Sequence, residues 1–114
     1  MAAASEVSFR IDAARVPLLA GAAEYAAAGI LPGGARRNLD FLLGRGAGAR
    51  VRARISPSVS PVLANLLMDP QTSGGLLAAV DPGRVPELEV GFRDSGRSCW
   101  VIGEVGDGDG VEVV

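Results

Sequence analysis

Residues 69–75 read Asp-Pro-Gln-Thr-Ser-Gly-Gly, and their types and spacing suit a loop that binds an anion. The proline fixes its own φ and disfavours helical geometry for the residue before it, whereas the two glycines can take positive φ and admit a close approach to the backbone. Backbone N–H groups and hydroxyls in such a loop are donors for phosphate oxygens. The candidate phosphate- or product-proximal residues are Thr72, Ser73, Gly74 and Gly75.

The same segment also fits a purely structural interpretation, in which a helix stops, the chain turns tightly and a strand begins. The apolar run 76–80 follows at once and predicts a buried strand. Paired glycines before a strand are common turn signals, so the residues alone leave both interpretations open.

A second glycine-rich turn at 31–34 leads into the candidates Arg36, Arg37 and Asn38. Guanidinium groups match phosphate oxygens in geometry, and an asparagine can cap or orient a nearby loop. Arginines at the start of a short helix are also often only solvated. Both interpretations are kept for these three residues.

Composition limits the chemistry that the chain can perform. At 114 residues it predicts a single domain over 1–114, and its net charge of -2 gives no reason to expect nucleic acid or an anionic membrane as a partner. Histidine is absent and all basic residues are arginines, which excludes Ser-His-Asp chemistry and histidine metal sites. We therefore expect no metal site and assign no catalytic residue.

Cys99 is the only cysteine, so the chain can form no internal disulfide. It lies in the segment Ser-Cys-Trp-Val-Ile at 98–102, which predicts a buried structural thiol in a strand. This cysteine usage suits a reducing compartment. Since no segment is apolar for about 18 residues and no signal peptide is evident, we expect a soluble, cytoplasmic protein.

Strand-like and helix-like patterns alternate along the chain and predict an α+β fold. We expect an α/β sandwich with a mixed, largely antiparallel sheet and helices packed on one face. Arginines alternate along the second strand and predict a solvated face, and the Asp-Gly-Asp-Gly run predicts a hairpin turn. The predicted strands are 7–11, 51–55, 76–80, 98–105 and 111–114, and the predicted helices are 18–28, 36–43, 61–68 and 81–92, with Ser58 or Ser60 capping the third helix.

Three motifs stand in the order and spacing seen in selenophosphate synthetase, also called selenide, water dikinase. They are Leu-Pro-Gly-Gly-Ala-Arg-Arg-Asn-Leu at 31–39, Asp-Pro-Gln-Thr-Ser-Gly-Gly-Leu-Leu at 69–77 and Ile-Gly-Glu-Val at 102–105. The resemblance covers about residues 6–114 and concerns only the C-terminal domain of that enzyme. The family belongs with the aminoimidazole ribonucleotide synthetase-like ATP-dependent enzymes, whose C-terminal domain is an α/β sandwich.

The resemblance implies a role in making selenophosphate, phosphate and AMP from ATP, selenide and water. In the family, the reactive cysteine or selenocysteine, its neighbouring lysine and most of the metal-binding aspartates lie in an N-terminal domain. ATP and magnesium are thus implied for the full-length enzyme, no cofactor is expected in this chain, and catalysis by the chain alone is not expected.

The implied partner is the missing N-terminal domain of the same enzyme. The family's opening helix is also absent, and because its loss would uncover apolar surface, we expect a homo-oligomer. The alternative is a non-catalytic interaction or dimerisation module that keeps the fold.

Overall fold

Four short strands form one mixed sheet in the part of the chain that the structure describes. The computed structural model describes residues 1–45, 53–71 and 73–114. Strand β1 pairs antiparallel with β3 and parallel with β4, and β4 pairs parallel with β2, which gives the order β2-β4-β1-β3. The strands are β1 Val7–Ile11, β2 Ala53–Ile55, β3 Gly103–Asp107 and β4 Gly110–Val113.

The predicted α+β class with a mixed sheet is confirmed, but the balance of strand directions differs from the prediction. Among the described pairings, two are parallel and one is antiparallel. The reason is the position of β1, which lies between β3 and β4 and keeps them apart. The hairpin predicted around 107–110 is therefore wrong.

The link between β3 and β4 instead passes the amino end of β1. Asp107 is in register with Val7, and Gly110 is in register with Ser8. The Ser8 hydroxyl donates to the carbonyl of Asp107 at 2.9 Å, and Gly108 and Gly110 take φ values of 116° and 99°. Two glycines in the left-handed region let the chain cross from one side of β1 to the other within a few residues.

The two faces of the sheet differ sharply in polarity because successive side chains of a strand point to opposite faces. On one face, Val113 is 4% exposed and belongs to the core. Two rows of small and apolar residues run across this face: Ala53, Val111, Phe9 and Val105, then Ile55, Val113, Ile11 and Gly103.

The opposite face carries one row of alternating charge across all four strands, formed by Arg54, Glu112, Arg10 and Glu104. All four residues are exposed, and the Arg10 guanidinium lies 3.6 Å from the Glu104 carboxylate. An exposed pair of this kind contributes about 0–1 kcal/mol, so the row mainly keeps this face solvated. The predicted solvated arginine face is confirmed at Arg54, and the arginines at 50 and 52 lie outside the described residues.

The described residues also form five helices and two 3₁₀ turns. The helices are α1 Ala2–Ser5, α2 Ala22–Ala27, α3 Gly33–Leu42, α4 Pro61–Leu67 and α5 Val85–Asp94, and the 3₁₀ turns are Ala13–Arg15 and Pro82–Arg84. Helix α4 contacts α2, α3 and the first 3₁₀ turn, whereas α1 contacts β1 and β4. Helix α5 contacts the 3₁₀ turn that precedes it and has no buried residue.

The helix boundaries follow local capping chemistry. The Ser60 hydroxyl accepts from the amide of Leu63 at 3.2 Å, which confirms Ser60 as the cap of α4. Helix α2 begins at Ala22 rather than at the predicted residue 18, because Gly21 precedes it with φ of 82°, a conformation that a helix cannot contain. Helix α3 begins at Gly33, three residues earlier than predicted.

Two segments predicted as strand lie outside the sheet. Residues 76–80 and 98–102 are not strand, and Leu76 is fully exposed. A strand needs a hydrogen-bonded neighbour, and no hydrogen bond joins the backbone of 73–80 to a residue that the structure describes. Cys99 is exposed, so the buried thiol predicted from its apolar surroundings is wrong.

No described helix combines the length and the apolar character that crossing a membrane requires.

Gly103 provides a direct test of the strand pairing. A Cβ at this position would collide with the backbone carbonyl of Arg10 on β1. Because that carbonyl cannot move without disturbing the pairing of β1 with β3, we expect Gly103→Ala to lower the free energy of unfolding by about 1–3 kcal/mol in urea titrations followed by circular dichroism.

Gly91→Ala is the matched control, since a Cβ there meets no atom within 4 Å and the residue lies inside α5. It should raise the free energy of unfolding by about 0.5–1 kcal/mol, as alanine favours helix over glycine. Equal effects of the two substitutions would mean that β1 and β3 are not paired in this register.

Candidate functional site

The two glycine-rich motifs, far apart in sequence, meet in space at Gly34 and Pro70. A Cβ on Gly34 would lie 2.8 Å from Cγ of Pro70, closer than carbon atoms approach without a clash. Glycine is therefore the residue that allows the first turn of α3 to rest against the start of the 69–75 loop. This contact is called the Gly34–Pro70 contact below.

A hydrogen bond beside the Gly34–Pro70 contact joins the same two elements. Nδ2 of Asn38 donates to the backbone carbonyl of Met68 at 2.9 Å. Met68 caps the carboxyl end of α4, where carbonyl groups have no partner within the helix. This is the geometry expected of an asparagine that orients a nearby loop, and its part in ligand binding stays a prediction.

The loop begins with Asp69, which makes local hydrogen bonds through its backbone and its side chain. The amide of Asp69 donates to the carbonyl of Leu66 at 3.0 Å, and Nε2 of Gln71 donates to Oδ2 of Asp69. The other carboxylate oxygen, Oδ1, is buried and has no hydrogen-bond partner among the described residues.

The rest of the loop is open. Ser73, Gly74 and Gly75 are exposed, and their amides make no hydrogen bond to any residue in the described part of the chain. A Cβ on either glycine would meet no atom within 4 Å, and neither glycine takes positive φ. Neither a close contact nor the backbone conformation requires glycine at these two positions in the described structure. Both residues are exposed. Thr72 lies outside the described residues.

The arginine candidates lie near the amino end of α3. Arg36 and Arg37 are exposed and form no ion pair with a described residue. The first turn of α3 contains no acidic residue, and Pro32 provides no side-chain cap. Positive side chains beside the positive end of the helix dipole oppose helix stability and concentrate positive potential there. No hydrogen bond joins Arg36 or Arg37 to Ser73, Gly74 or Gly75.

The third motif lies elsewhere and has a structural explanation. Residues 103–105 belong to β3, where Gly103 faces Ile11 across the antiparallel pairing. Its lack of a side chain is required by the Arg10 carbonyl. The structure thus joins two of the three motifs in one place and assigns the third to the sheet.

The Gly34–Pro70 contact was not predicted from the sequence, although both residues lie inside motifs that were singled out. Glycine pairs are usually explained by backbone conformation, whereas Gly34 has no positive φ and is needed for space. The available signal was the presence of two motifs that each combine proline with paired glycines.

Magnesium is implied only by the family resemblance. Among the described residues, no group of three or more acidic, histidine or cysteine side chains could hold a metal ion. The described residues therefore do not fit a metal site, and no step is assigned to a metal in this chain.

The chain is similar to a known protein family and to curated proteins. Residues 1–114 match the family "AIR synthase related protein, C-terminal domain". Curated relatives named "Selenide, water dikinase" include those of Nitratidesulfovibrio vulgaris, 35% identical over 105 residues, Bordetella bronchiseptica, 42% identical over 105 residues, and Pelobacter propionicus, 43% identical over 97 residues.

These matches cover most of this chain but only a small part of each relative. They cover 92%, 92% and 84% of this chain but only 28%, 28% and 26% of the three relatives, so the chain spans little more than a quarter of their length. The resemblance to the C-terminal domain of selenophosphate synthetase is confirmed. The chain belongs to the family of AIR synthase related protein C-terminal domains.

Proposed function

We propose that the chain acts as the C-terminal domain of a selenophosphate-forming kinase and that residues 73–75 bind a phosphate or phosphorylated product. The family match and the curated relatives support the enzyme assignment. In this proposal the remainder of the enzyme carries the reacting groups, and the loop faces a cleft between the two parts.

The observation that carries the proposal is the Gly34–Pro70 contact, together with the open amides that follow it. Gly34 and the Asn38 hydrogen bond fix the start of the loop against α3. Beyond this anchor, the amides of Ser73, Gly74 and Gly75 are exposed and have no partner among the described residues. A loop that is anchored at its start and presents unpaired backbone donors beyond the anchor can bind an anion.

The chemistry asked of such a loop is modest. Phosphoryl transfer depends mainly on positioning and on stabilising charge on phosphate oxygens, so backbone donors contribute without any acid or base. The implied reaction consumes ATP, selenide and water and yields selenophosphate, phosphate and AMP. The loop would hold a tetrahedral oxyanion on this route, and magnesium, held by the rest of the enzyme, would neutralise part of its charge.

The amino end of α3 adds favourable electrostatics. Arg36, Arg37 and the uncapped first turn of the helix place positive potential next to the Gly34–Pro70 contact. An anion in this region would be attracted before it reaches the loop amides. We therefore propose that the arginines attract the anion and that the loop amides bind it.

A non-catalytic interaction or dimerisation module remains the second candidate. The exposed apolar residues Leu76, Leu77 and Trp100 favour it, because large exposed apolar side chains in one part of a chain often mark a contact with another protein. The next experiment separates the two functions.

A domain exchange tests the enzyme assignment. We expect this chain, replacing the matched region of the Bordetella bronchiseptica selenide, water dikinase, to support ATP-dependent selenophosphate formation within about tenfold of the parent rate. Phosphorus NMR of the products provides the measurement, and deletion of the region is the control. A folded chimera that makes no selenophosphate would favour the interaction module.

Substitution of two neighbouring glycines tests whether this chain itself binds phosphate at the loop. Titration with inorganic phosphate, followed by amide NMR, should shift the signals of Ser73, Gly74 and Gly75. Gly34→Ala should weaken this binding by about fivefold or more, because the new methyl group displaces Pro70 and with it the loop.

Gly33→Ala is the matched control, since it lies in the same helical turn and a Cβ there meets nothing within 4 Å. It should leave phosphate binding unchanged. Phosphate shifts confined to other residues, or equal losses in the two variants, would overturn the loop assignment. ATP should give no saturating shifts.

A further inference from the structure

Four exposed charges on the polar face of the sheet follow an antisymmetric order. They lie in register on the four strands, so that the signs along the order β2-β4-β1-β3 read positive, negative, positive, negative. Reading the row backwards exchanges every positive charge with a negative one. The four residues are Arg54, Glu112, Arg10 and Glu104, called the charge row below.

Part of the charge row is paired within the chain and part is not. The Arg10 guanidinium lies 3.6 Å from the Glu104 carboxylate. Arg54 and Glu112 are also neighbours in register, yet neither forms an ion pair with a described residue. These two side chains are exposed, so their charges are accessible to a charged surface outside the chain.

A second copy of the chain presents a matching surface. Two copies placed face to face about a two-fold axis parallel to the strands bring the charge row of one against the reversed row of the other. Arg54 then faces the partner's Glu104, and Glu112 faces the partner's Arg10. Each contact is made twice, because residue pairs repeat across a two-fold axis. All four charges of each copy thus face an opposite charge.

Other arrangements of the same two faces bring like charges together. A two-fold axis that lies in the plane of the face but perpendicular to the strands keeps the order of the charge row, so each charge faces its own copy. A sideways shift by one strand, about 4.8 Å, places like charges opposite each other at the positions that still overlap. Like charges across an interface oppose association and suppress wrong pairings. The charge row therefore favours one partner surface in one register.

We infer that the charge row is a self-recognition surface, through which two copies of the chain pair about a two-fold axis parallel to the strands. The surface is small, since four strands about 4.8 Å apart span about 14 Å. Interfaces well below the standard size are weak and transient, so we expect a dissociation constant of about 0.1–1 mM. Pairing through this face requires neither phosphate binding nor the remainder of the enzyme.

Charge reversal tests the contact between Arg10 and the partner's Glu112. Arg10→Glu places two carboxylates opposite each other, and Glu112→Arg places two guanidinium groups opposite each other. Because every contact occurs twice, we expect each single variant to raise the dissociation constant by about tenfold or more in sedimentation equilibrium. Arg97→Glu is the matched control, since this arginine is exposed, lies outside the sheet and forms no ion pair with a described residue. It makes the same change in net charge as Arg10→Glu and should leave the dissociation constant unchanged.

A mixture of the two single variants is the decisive measurement. Each variant has like charges at the two inner contacts with its own copy, but opposite charges at all four positions with the other variant. The mixture should therefore form a heterodimer about tenfold more tightly than either variant pairs with itself. The double variant Arg10→Glu/Glu112→Arg is again antisymmetric and should pair like the unsubstituted chain, although the ion pair that Arg10 makes with Glu104 within the chain is lost. A mixture that forms no heterodimer, or a folded double variant that stays monomeric, would overturn the inference.

Salt and dilution test the unsubstituted chain and cover the case of variants that fail to fold. Raising sodium chloride from about 0.05 to about 0.5 M should weaken the dimer by about tenfold, because screening reduces the attraction between exposed charges. Dilution from about 2 mM to about 0.05 mM should shift the amide NMR signals of the charge row. A chain that is monomeric at the higher concentration contradicts the inference. Dilution shifts confined to Leu76, Leu77 and Trp100, or association that strengthens with salt, would show an apolar contact instead and overturn it.

Discussion

The approach of Pro70 to Gly34 determines where the 69–75 loop can go. It brings together a helix start and a helix end that are more than thirty residues apart, and the Asn38 hydrogen bond to Met68 supports the same junction. A methyl group at Gly34 would push α3 and the loop apart, because the proline ring is bonded to its backbone at both ends and can yield only by a change of pucker. The open amides at 73–75 depend on this junction for their position, since nothing else described holds them.

Local chemistry allowed much of the fold to be predicted from the sequence. The strand 7–11 alternates in polarity, and the serine and proline before residues 61–67 form a standard helix start, so both elements were predicted close to their observed bounds. Predictions that depended on distant neighbours were less successful. The hairpin at 107–110 was wrong because β1 occupies the place between the two strands, a fact that no local pattern contains.

The site shows the same division between local and distant information. The loop and the residues Arg36, Arg37 and Asn38 were proposed as candidates from residue types, whereas their junction required knowing that Gly34 is needed for space rather than for conformation. Cys99 and the run 76–80 were expected to be buried because they are apolar, and they are exposed. Apolar composition indicates that a segment gains by burial, but it does not identify the surface that covers it.

Charge is arranged differently at the amino end of α3 and on the polar face of the sheet. At the amino end of α3, positive groups have no acidic partner in the described structure, an arrangement that opposes helix stability unless an anion is nearby. On the sheet, by contrast, the row from Arg54 to Glu104 alternates in sign and is balanced within itself. Arg36 and Arg37 thus have no ion pair in the described structure, and the one carboxylate at the start of the loop, Asp69, is hydrogen-bonded to Gln71. An anion bound beside the Gly34–Pro70 contact, as we propose, would offset the cost of these charges to the helix, whereas a purely structural turn would not.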